Sequence, residues 1–77
     1  MTDNSEGRIE MINGPVIRGS HMEGFRMREM VMVGEQRLIG EVISIEEESA
    51  TIQVYEESEG LKTGQEIRST GKLLSLR

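Results

Sequence analysis

The residues that could carry out chemistry in this chain are one histidine and two runs of carboxylates. His21 has no Ser, Asp or Glu near it at a spacing typical of a catalytic triad or a metal site, so we expect an exposed loop histidine. The sequence contains no cysteine, which excludes disulfides and thiolate metal sites. We therefore predict that this chain has no catalytic residue, no cofactor-binding residue and no metal ligand.

The two carboxylate runs lie at positions 46–48 and at positions 56, 57 and 59. Calcium prefers about six to eight oxygen ligands, but neither run has the interleaved Asp, Asn and Gly of an EF-hand loop. The first run is typical of a solvated hairpin tip. The second run, with Glu56 and Glu57, is a candidate for salt bridges or for an interface. Two arginines that we expect on one strand face are the candidate partners, in this chain or in a neighbour: Arg26 and Arg28.

Two glycine-rich stretches, 60–64 and 71–72, invite comparison with phosphate-binding loops. A P-loop needs a glycine, four residues, and then Gly-Lys followed by Ser or Thr. Leu73 follows the lysine, and Glu66 stands where the first glycine should be, so neither stretch fits the motif. The glycines are therefore predicted to form turns, and the two that matter in the first stretch are Gly60 and Gly64.

The composition allows one small domain and argues against several kinds of partner. The chain has 77 residues with one Phe, one Tyr and no Trp, so its core must come from Ile, Val, Leu and Met. The formal net charge of −5 repels nucleic-acid backbones, and we predict no nucleic-acid binding. No apolar run approaches the roughly 18 residues of a membrane span, and the polar start does not resemble a signal peptide, so we predict no direct membrane contact.

Hydrophobic alternation predicts an all-β fold with six or seven short strands and no helix longer than a turn. Residues 1–6 are expected to form a flexible leader and residues 7–77 one domain. A turn is predicted at Gly14 and Pro15, because Asn-Gly tolerates positive φ and proline removes a ladder donor. A small closed six-stranded β-barrel is favoured over an open sheet, because closure removes edges whose unpaired backbone groups would template aggregation.

The pattern also predicts local structure between these landmarks. Residues 19–24 are expected to form a polar loop, and residues 25–33 a strand. Gly40, inside a long apolar run, indicates a bulge, a bend or the close approach of another backbone. Two short strands, 65–69 and 73–76, are predicted on either side of a turn.

Four groups of residues, in order, resemble the start of the catalytic A subunit of V-type and archaeal-type (A-type) ATP synthases. They are Gly7-Arg-Ile with Asn13-Gly-Pro-Val16, Val33-Gly34 with Leu38-Ile-Gly-Glu-Val-Ile43, Gln53-Val-Tyr-Glu-Glu57, and Gly60-Leu61 with Gly64. The resemblance runs from Gly7 to about Leu76. The Gln-Val-Tyr-Glu-Glu run resembles the sequence at this place in the catalytic subunit, whereas the non-catalytic B subunit tends to carry Phe-Glu-Gly there. Ser58 departs mildly from the Thr that is usual in the family.

The resemblance implies the amino-terminal β-barrel domain of that subunit, without its nucleotide-binding domain. It implies an assembly module that holds neighbouring A and B subunits together in a ring. These subunits would form a hexamer that couples ATP hydrolysis or synthesis to proton or sodium transport. The parent subunit would be the enzyme and would bind Mg-ATP, whereas this chain would hold no cofactor and would be monomeric in isolation. The implied location is cytoplasmic, in the soluble head of a membrane-bound complex. The residues predicted to lie at a subunit interface are Arg26, Arg28, Tyr55, Glu56 and Glu57.

Two alternatives stay open on the sequence. The barrel could belong to the B subunit or to a flagellar or secretion ATPase, which share the fold. It could also be a stand-alone small β-barrel binding module of the oligonucleotide-binding or SH3-like kind. Such a module should carry stacking aromatics and a basic face, whereas Phe25 and Tyr55 are the only aromatic residues here. The residues do not distinguish proton from sodium transport, nor synthesis from hydrolysis.

Overall fold

Six antiparallel strands close into a barrel in the computed structural model of this protein, which describes residues 6–73. The described residues contain no helix, in agreement with the all-β prediction. The strands are β1 (Glu6–Asn13), β2 (Val16–Ser20), β3 (Glu29–Val33), β4 (Leu38–Glu46), β5 (Ser49–Val54) and β6 (Glu66–Leu73).

The order of the strands around the barrel is β1-β2-β5-β4-β3-β6, and β6 closes it by pairing with both β3 and β1. All neighbouring strands are antiparallel. The prediction of a closed six-stranded barrel is therefore confirmed. In this order β1 and β4 lie on opposite sides of the barrel, since three steps separate them in either direction.

The connections between strands use residues with positive φ. Gly14, at φ 64°, lies with Pro15 in the turn between β1 and β2, and Glu47, at φ 56°, lies in the turn between β4 and β5. The longer connection from β5 to β6 contains Gly60 at φ 98° and Gly64 at φ 91°. Glycine adopts such angles without steric cost, so these glycines shape the connections as turn residues.

Alternate side chains of the strands fill the barrel interior, as period-two geometry requires. The core consists mainly of aliphatic side chains, with one methionine and a single aromatic ring. Its members are Ile9, Ile17, Met22, Phe25, Val31, Val33, Leu38, Val42, Ala50, Ile52, Val54, Leu61 and Ile67. Gly40 lies against this core, where a Cβ atom would stand 2.8 Å from Ile52 Cγ2 and 3.0 Å from the carbonyl oxygen of Gln53. The predicted close approach at Gly40 is therefore confirmed.

Met22 is fully buried, although it belongs to the stretch that was predicted to be a polar loop. Gly19 and Ser20 complete β2, and the chain then turns so that Met22 packs back onto the barrel. A Cβ atom on Gly7 would collide with the sulfur of Met22, and one on Gly19 would lie 2.9 Å from it. The polar-loop prediction is wrong at this residue, because two glycines on neighbouring strands leave the space that the thioether occupies.

The strand predicted over residues 25–33 begins only at Glu29. Turn hydrogen bonds precede it, from the N–H of Phe25 to the carbonyl of Met22 (3.1 Å) and from the N–H of Glu29 to the carbonyl of Arg26 (3.1 Å). Arg28 adopts a positive φ of 69°. The buried side chain of Phe25 lies in these turns, so apolar residues alternate there as they do in the strand. The alternation of apolar residues therefore does not show where the extended backbone starts.

The turn predicted at residues 70–72 is a β-bulge inside one continuous strand, β6. Met30 pairs with Lys72 while the next residue, Val31, pairs with Ser69, so extra residues of β6 are accommodated there. The Thr70 hydroxyl donates to the Met30 carbonyl at 2.7 Å and stabilises the bulge.

At the amino-terminal end of the described residues, Glu6 begins β1 rather than belonging to a leader. Residues 1–5 of the predicted leader, and 74–76 of the predicted last strand, lie outside the described residues.

Candidate interface site

Glu41 is a carboxylate on the outer wall of the barrel that is nevertheless buried. Its neighbours in β4, Gly40 and Val42, face the core, so the alternation of the strand directs Glu41 outward. The residue is only 7% exposed. Charged side chains are almost never buried without partners, so the groups that cover this carboxylate define a site.

Two side chains from the segments that flank the adjacent strands cover Glu41 and bind its two oxygens. The hydroxyl of Tyr55, just after β5, donates to Oε1. The guanidinium of Arg28, just before β3, donates from Nη1 to Oε2 at 3.2 Å. The three side chains form a line across β3, β4 and β5, and they tie the three strands together on the outer surface.

The electrostatics of this line favour an ionised Glu41 and a neutral Tyr55. The hydrogen bond from Tyr55 lowers the pKa of Glu41 below its usual 4.5, burial opposes this effect, and Arg28 lowers the pKa further. The same hydrogen bond to Glu41 raises the pKa of Tyr55 above its usual 10.0. At neutral pH the site is therefore a charge-assisted network in which both oxygens of Glu41 are occupied.

A second buried carboxylate, Glu29, lies at the start of β3 and is 3% exposed. It accepts a hydrogen bond from the backbone N–H of Arg26 at 2.8 Å and another from the hydroxyl of Ser69 on β6. Glu29 thus closes the turn that precedes β3 and connects it to β6. The backbone N–H of Arg28 itself donates to the carbonyl of Val42 on β4 at 2.8 Å, which holds this segment beside the strand that carries Glu41.

The structure brings together two of the five residues predicted for an interface. Arg28 and Tyr55 meet at Glu41, so within this chain Arg28 pairs with that carboxylate and not with the 56–59 run. Glu56 instead accepts a hydrogen bond from the backbone N–H of Ile39 at 3.2 Å. Two residues are exposed, without a side-chain hydrogen bond to any of residues 6–73: Arg26 and Glu57. The interface role of all five remains a prediction.

Glu41, which binds both Arg28 and Tyr55, is not among the residues predicted to lie at an interface. A signal was present in the sequence, because a single carboxylate interrupts the apolar run from Leu38 to Ile45. A charge in such a run requires a partner when the strand is buried. The identity of the partners depends on which strands are neighbours, and alternation along one strand does not specify that.

The other candidate groups form no ligand site in the described part of the chain. His21 is exposed at a turn, with its Nδ1 3.3 Å from the hydroxyl of Ser20. No group of three or more His, Cys, Asp and Glu residues within residues 6–73 could hold a metal ion. Among the same residues there is no helix with the length and apolar character needed to cross a membrane.

Comparison with known proteins assigns a family to this fold. Residues 9–71 match the family described as "ATP synthase alpha/beta family, beta-barrel domain". The "V-type ATP synthase alpha chain 2" of Clostridium tetani is 57% identical over 77 residues, which is 100% of this chain and 13% of that protein. The A subunit of the A-type ATP synthase of Methanopyrus kandleri is 49% identical over 99% of this chain and 13% of its own length.

A third relative is similar over the same region. The catalytic A subunit of the V-type proton ATPase of Trypanosoma congolense is 47% identical over 97% of this chain and 12% of its own length. The chain thus spans about an eighth of the curated relatives it matches, as the shares of 12% and 13% show.

Proposed function

This chain belongs to the ATP synthase alpha/beta family, as its β-barrel domain, and from that premise we propose that it is the amino-terminal barrel of the catalytic A subunit of a V-type or A-type rotary ATPase. The observation that carries the proposal is the 57% identity, over the whole chain, to the alpha chain of a V-type ATP synthase. Two further relatives, both named as A subunits, support the same identification over 99% and 97% of the chain.

The proposed role of the barrel is mechanical. It joins neighbouring A and B subunits in a ring while the rest of the parent protein binds Mg-ATP and couples its hydrolysis or synthesis to proton or sodium transport. The strands of a closed barrel are paired on both sides over much of their length, which leaves little strand edge to which a neighbour could add a strand. The proposal therefore assigns assembly to side chains on the outer wall, where Tyr55 and Arg28 are held by a buried carboxylate.

The proposed location follows from this role. The barrel belongs to the cytoplasmic head of a membrane-bound complex and makes no direct contact with the membrane.

The hydrophobic core of the barrel contains a single phenylalanine among aliphatic side chains, and it is small for a domain that works alone. Contacts with neighbouring subunits add stability by mass action, because they bind the folded barrel and not the unfolded chain.

A chimera tests the assembly role. This barrel replaces the matching residues of the Clostridium tetani relative, and a second variant of that relative lacks the barrel. The proteins are mixed with the partner subunits of the same complex, and native mass spectrometry counts the assembled hexamers. The chimera is expected to assemble and the deletion variant to fail. Equal assembly of the two would refute the role.

A separate titration tests where the nucleotide binds. The 77-residue chain is labelled with ¹⁵N, and Mg-ATP is added while amide shifts are followed. No saturable change is expected, because the proposal assigns Mg-ATP to the rest of the parent. Saturable binding in the micromolar range would contradict that assignment.

A further inference from the structure

The methionines of this barrel differ strongly in exposure. Five of the six lie in the described part of the chain. Met22 is fully buried, whereas Met11 is 53% exposed and Met27 is 49% exposed. Met30 and Met32 are half-buried on β3. The susceptibility of a thioether to oxidation follows its exposure, so two of these five sulfurs are readily open to a peroxide in solution.

Met27 lies at the tip of a hydrogen-bonded turn. The N–H of Glu29 donates to the carbonyl of Arg26 at 3.1 Å, and the N–H of Arg26 donates to the Glu29 carboxylate at 2.8 Å. The N–H of Arg28 donates to the carbonyl of Val42 at 2.8 Å. Met27 and Arg28 are the two central residues, and the φ of 69° at Arg28 is typical of a type II turn. The fold therefore presents Met27 to solvent from a fixed backbone.

Two arginines flank Met27 in this turn, and both guanidiniums keep free donors. The side chain of Arg26 makes no hydrogen bond to any of residues 6–73. Arg28 binds Glu41 through one nitrogen, and its side chain is 68% exposed. Because a guanidinium carries five N–H donors, each of the two can donate to a further group beside Met27.

Met11 has nearly the same exposure and different electrostatic surroundings. It follows Glu10, an exposed residue whose carboxylate has no hydrogen bond to the described part of the chain. The arginine opposite Met11 in the ladder, Arg18, is bound to Glu46 at 3.2 Å. The barrel thus contains a matched pair of exposed methionines, one beside free guanidinium donors and the other beside a free carboxylate.

Oxidation of methionine by hydrogen peroxide transfers one oxygen atom. The sulfur lone pair attacks one peroxide oxygen, the O–O bond breaks, and the departing oxygen takes the proton of the transferred hydroxyl group and leaves as water. The sulfur loses two electrons and the peroxide gains them. Negative charge develops on the departing oxygen, and donors placed where charge develops lower a barrier. Free guanidiniums therefore accelerate this step, whereas a nearby carboxylate slows it.

We propose that Met27 is a reversible oxidation site of the free barrel, and that hydrogen peroxide oxidises it ahead of Met11 because Arg26 and Arg28 supply donors to the departing oxygen. Methionine sulfoxide reductases return the sulfoxide to the thioether. The sulfoxide at Met27 is a polar acceptor in solvent between two guanidiniums, so the fold tolerates it. The same product at Met22 would place a polar group in the core.

A time course with hydrogen peroxide tests the order of oxidation. The folded 77-residue chain is treated at neutral pH and digested with a glutamate-specific protease, which places Met27 in the peptide 24–29, and tandem mass spectrometry follows each sulfoxide. Met27 should be oxidised about two- to fivefold faster than Met11, the factor expected of a charge interaction at an exposed site. Met22 should stay a thioether while the barrel is folded. Equal rates at Met27 and Met11, or a faster rate at Met11, would overturn the inference.

A substitution and added salt test the electrostatic cause. Arg26→Gln removes one guanidinium and leaves the contacts of Glu41 in place, so the rate at Met27 should fall towards that of Met11. Lys62→Gln is the matched control, because it removes one positive charge from an exposed residue between β5 and β6. In about 1 M NaCl, where the Debye length is about 3 Å, the ratio of the two rates should approach one in the native chain. A Met27 rate that neither Arg26→Gln nor salt changes, or that Lys62→Gln lowers equally, would refute the role of the guanidiniums.

Reduction and melting test whether the modification is reversible and tolerated. Chain oxidised only at Met27 should keep its Tm within about 2 °C of the untreated protein, as a surface substitution does. Reductases for the two sulfoxide epimers should together restore the thioether. A sulfoxide that resists both enzymes, or a large fall in Tm, would show that Met27 is a site of damage and would overturn the proposal.

Discussion

Replacement of Met22 by alanine measures how much the barrel depends on the side chain that packs between two glycines. The residue has 0% exposure and lies in the core. Truncation of a buried Leu, Ile or Met to Ala costs about 2–5 kcal/mol, because apolar contacts are lost and a cavity remains. We expect about 3 kcal/mol for Met22→Ala, since its thioether is in contact with the positions of Gly7 and Gly19.

A loss of this size is a large part of the total stability. A chain of 77 residues at about 0.05–0.15 kcal/mol per residue has roughly 4–12 kcal/mol of unfolding free energy. In domains of this size about 1 kcal/mol shifts Tm by about 4–8 °C, so Met22→Ala should lower Tm by about 12–24 °C. Urea unfolding followed by circular dichroism gives the free energy, and a thermal scan gives Tm.

Met27→Ala is the matched control, because Met27 is 49% exposed and the same atoms are removed. Substitutions at such surface positions usually stay within about 0.5 kcal/mol. The contact with Gly7 adds a second comparison: Gly7→Ala should destabilise the native protein by about 1–3 kcal/mol through overpacking, and less when Met22 is already alanine, because only the contact with the carbonyl oxygen of Ser20 at 3.0 Å then remains. If Met22→Ala and Met27→Ala have equal effects, or if the two substitutions at Gly7 and Met22 are additive, the packing argument is refuted.

Three further predictions use the same unfolding measurements. Gly40→Ala should lower the free energy of unfolding by about 1–3 kcal/mol, because the new Cβ would stand 3.0 Å from a backbone carbonyl oxygen that is held in the sheet. An unchanged free energy of unfolding would mean that β4 and β5 adjust freely. Ser69→Ala should lower the free energy of unfolding by about 1–3 kcal/mol, because it removes a hydrogen-bond donor from the buried carboxylate of Glu29. Ser44→Ala, at an exposed position, is the control and should leave the free energy of unfolding nearly unchanged. The pKa of Glu41 is lowered on folding, so its ionised form stabilises the barrel at pH values above 4.5, and this contribution disappears as the pH falls through the lowered pKa. The stability difference between the native protein and Glu41→Gln should therefore be constant from neutral pH down to about 5 and shrink in more acidic solution; a difference that is independent of pH would contradict the assignment.

The candidate site was only partly predictable. Arg28 and Tyr55 were identified from residue type and from the resemblance, but the carboxylate that joins them was not. Glu56 is closer in sequence to Tyr55, yet it binds the N–H of Ile39, while Glu41 lies between the two predicted residues. Pairing across the barrel depends on strand order and register, and a sequence pattern along one strand contains neither.

The sequence by itself determined the fold class of this protein, the closure of its strands into a barrel and the family. Period-two alternation and the spacing of turn residues follow from local backbone geometry, so they are visible in a single chain. Only the tertiary structure decided which residues meet. The burial of Met22 needs two glycines on paired strands, and the continuity of β6 through its bulge needs the register with β3. The network at Glu41 needs three strands side by side, because the desolvation of one carboxylate is offset by donors that are distant in sequence and adjacent in the barrel.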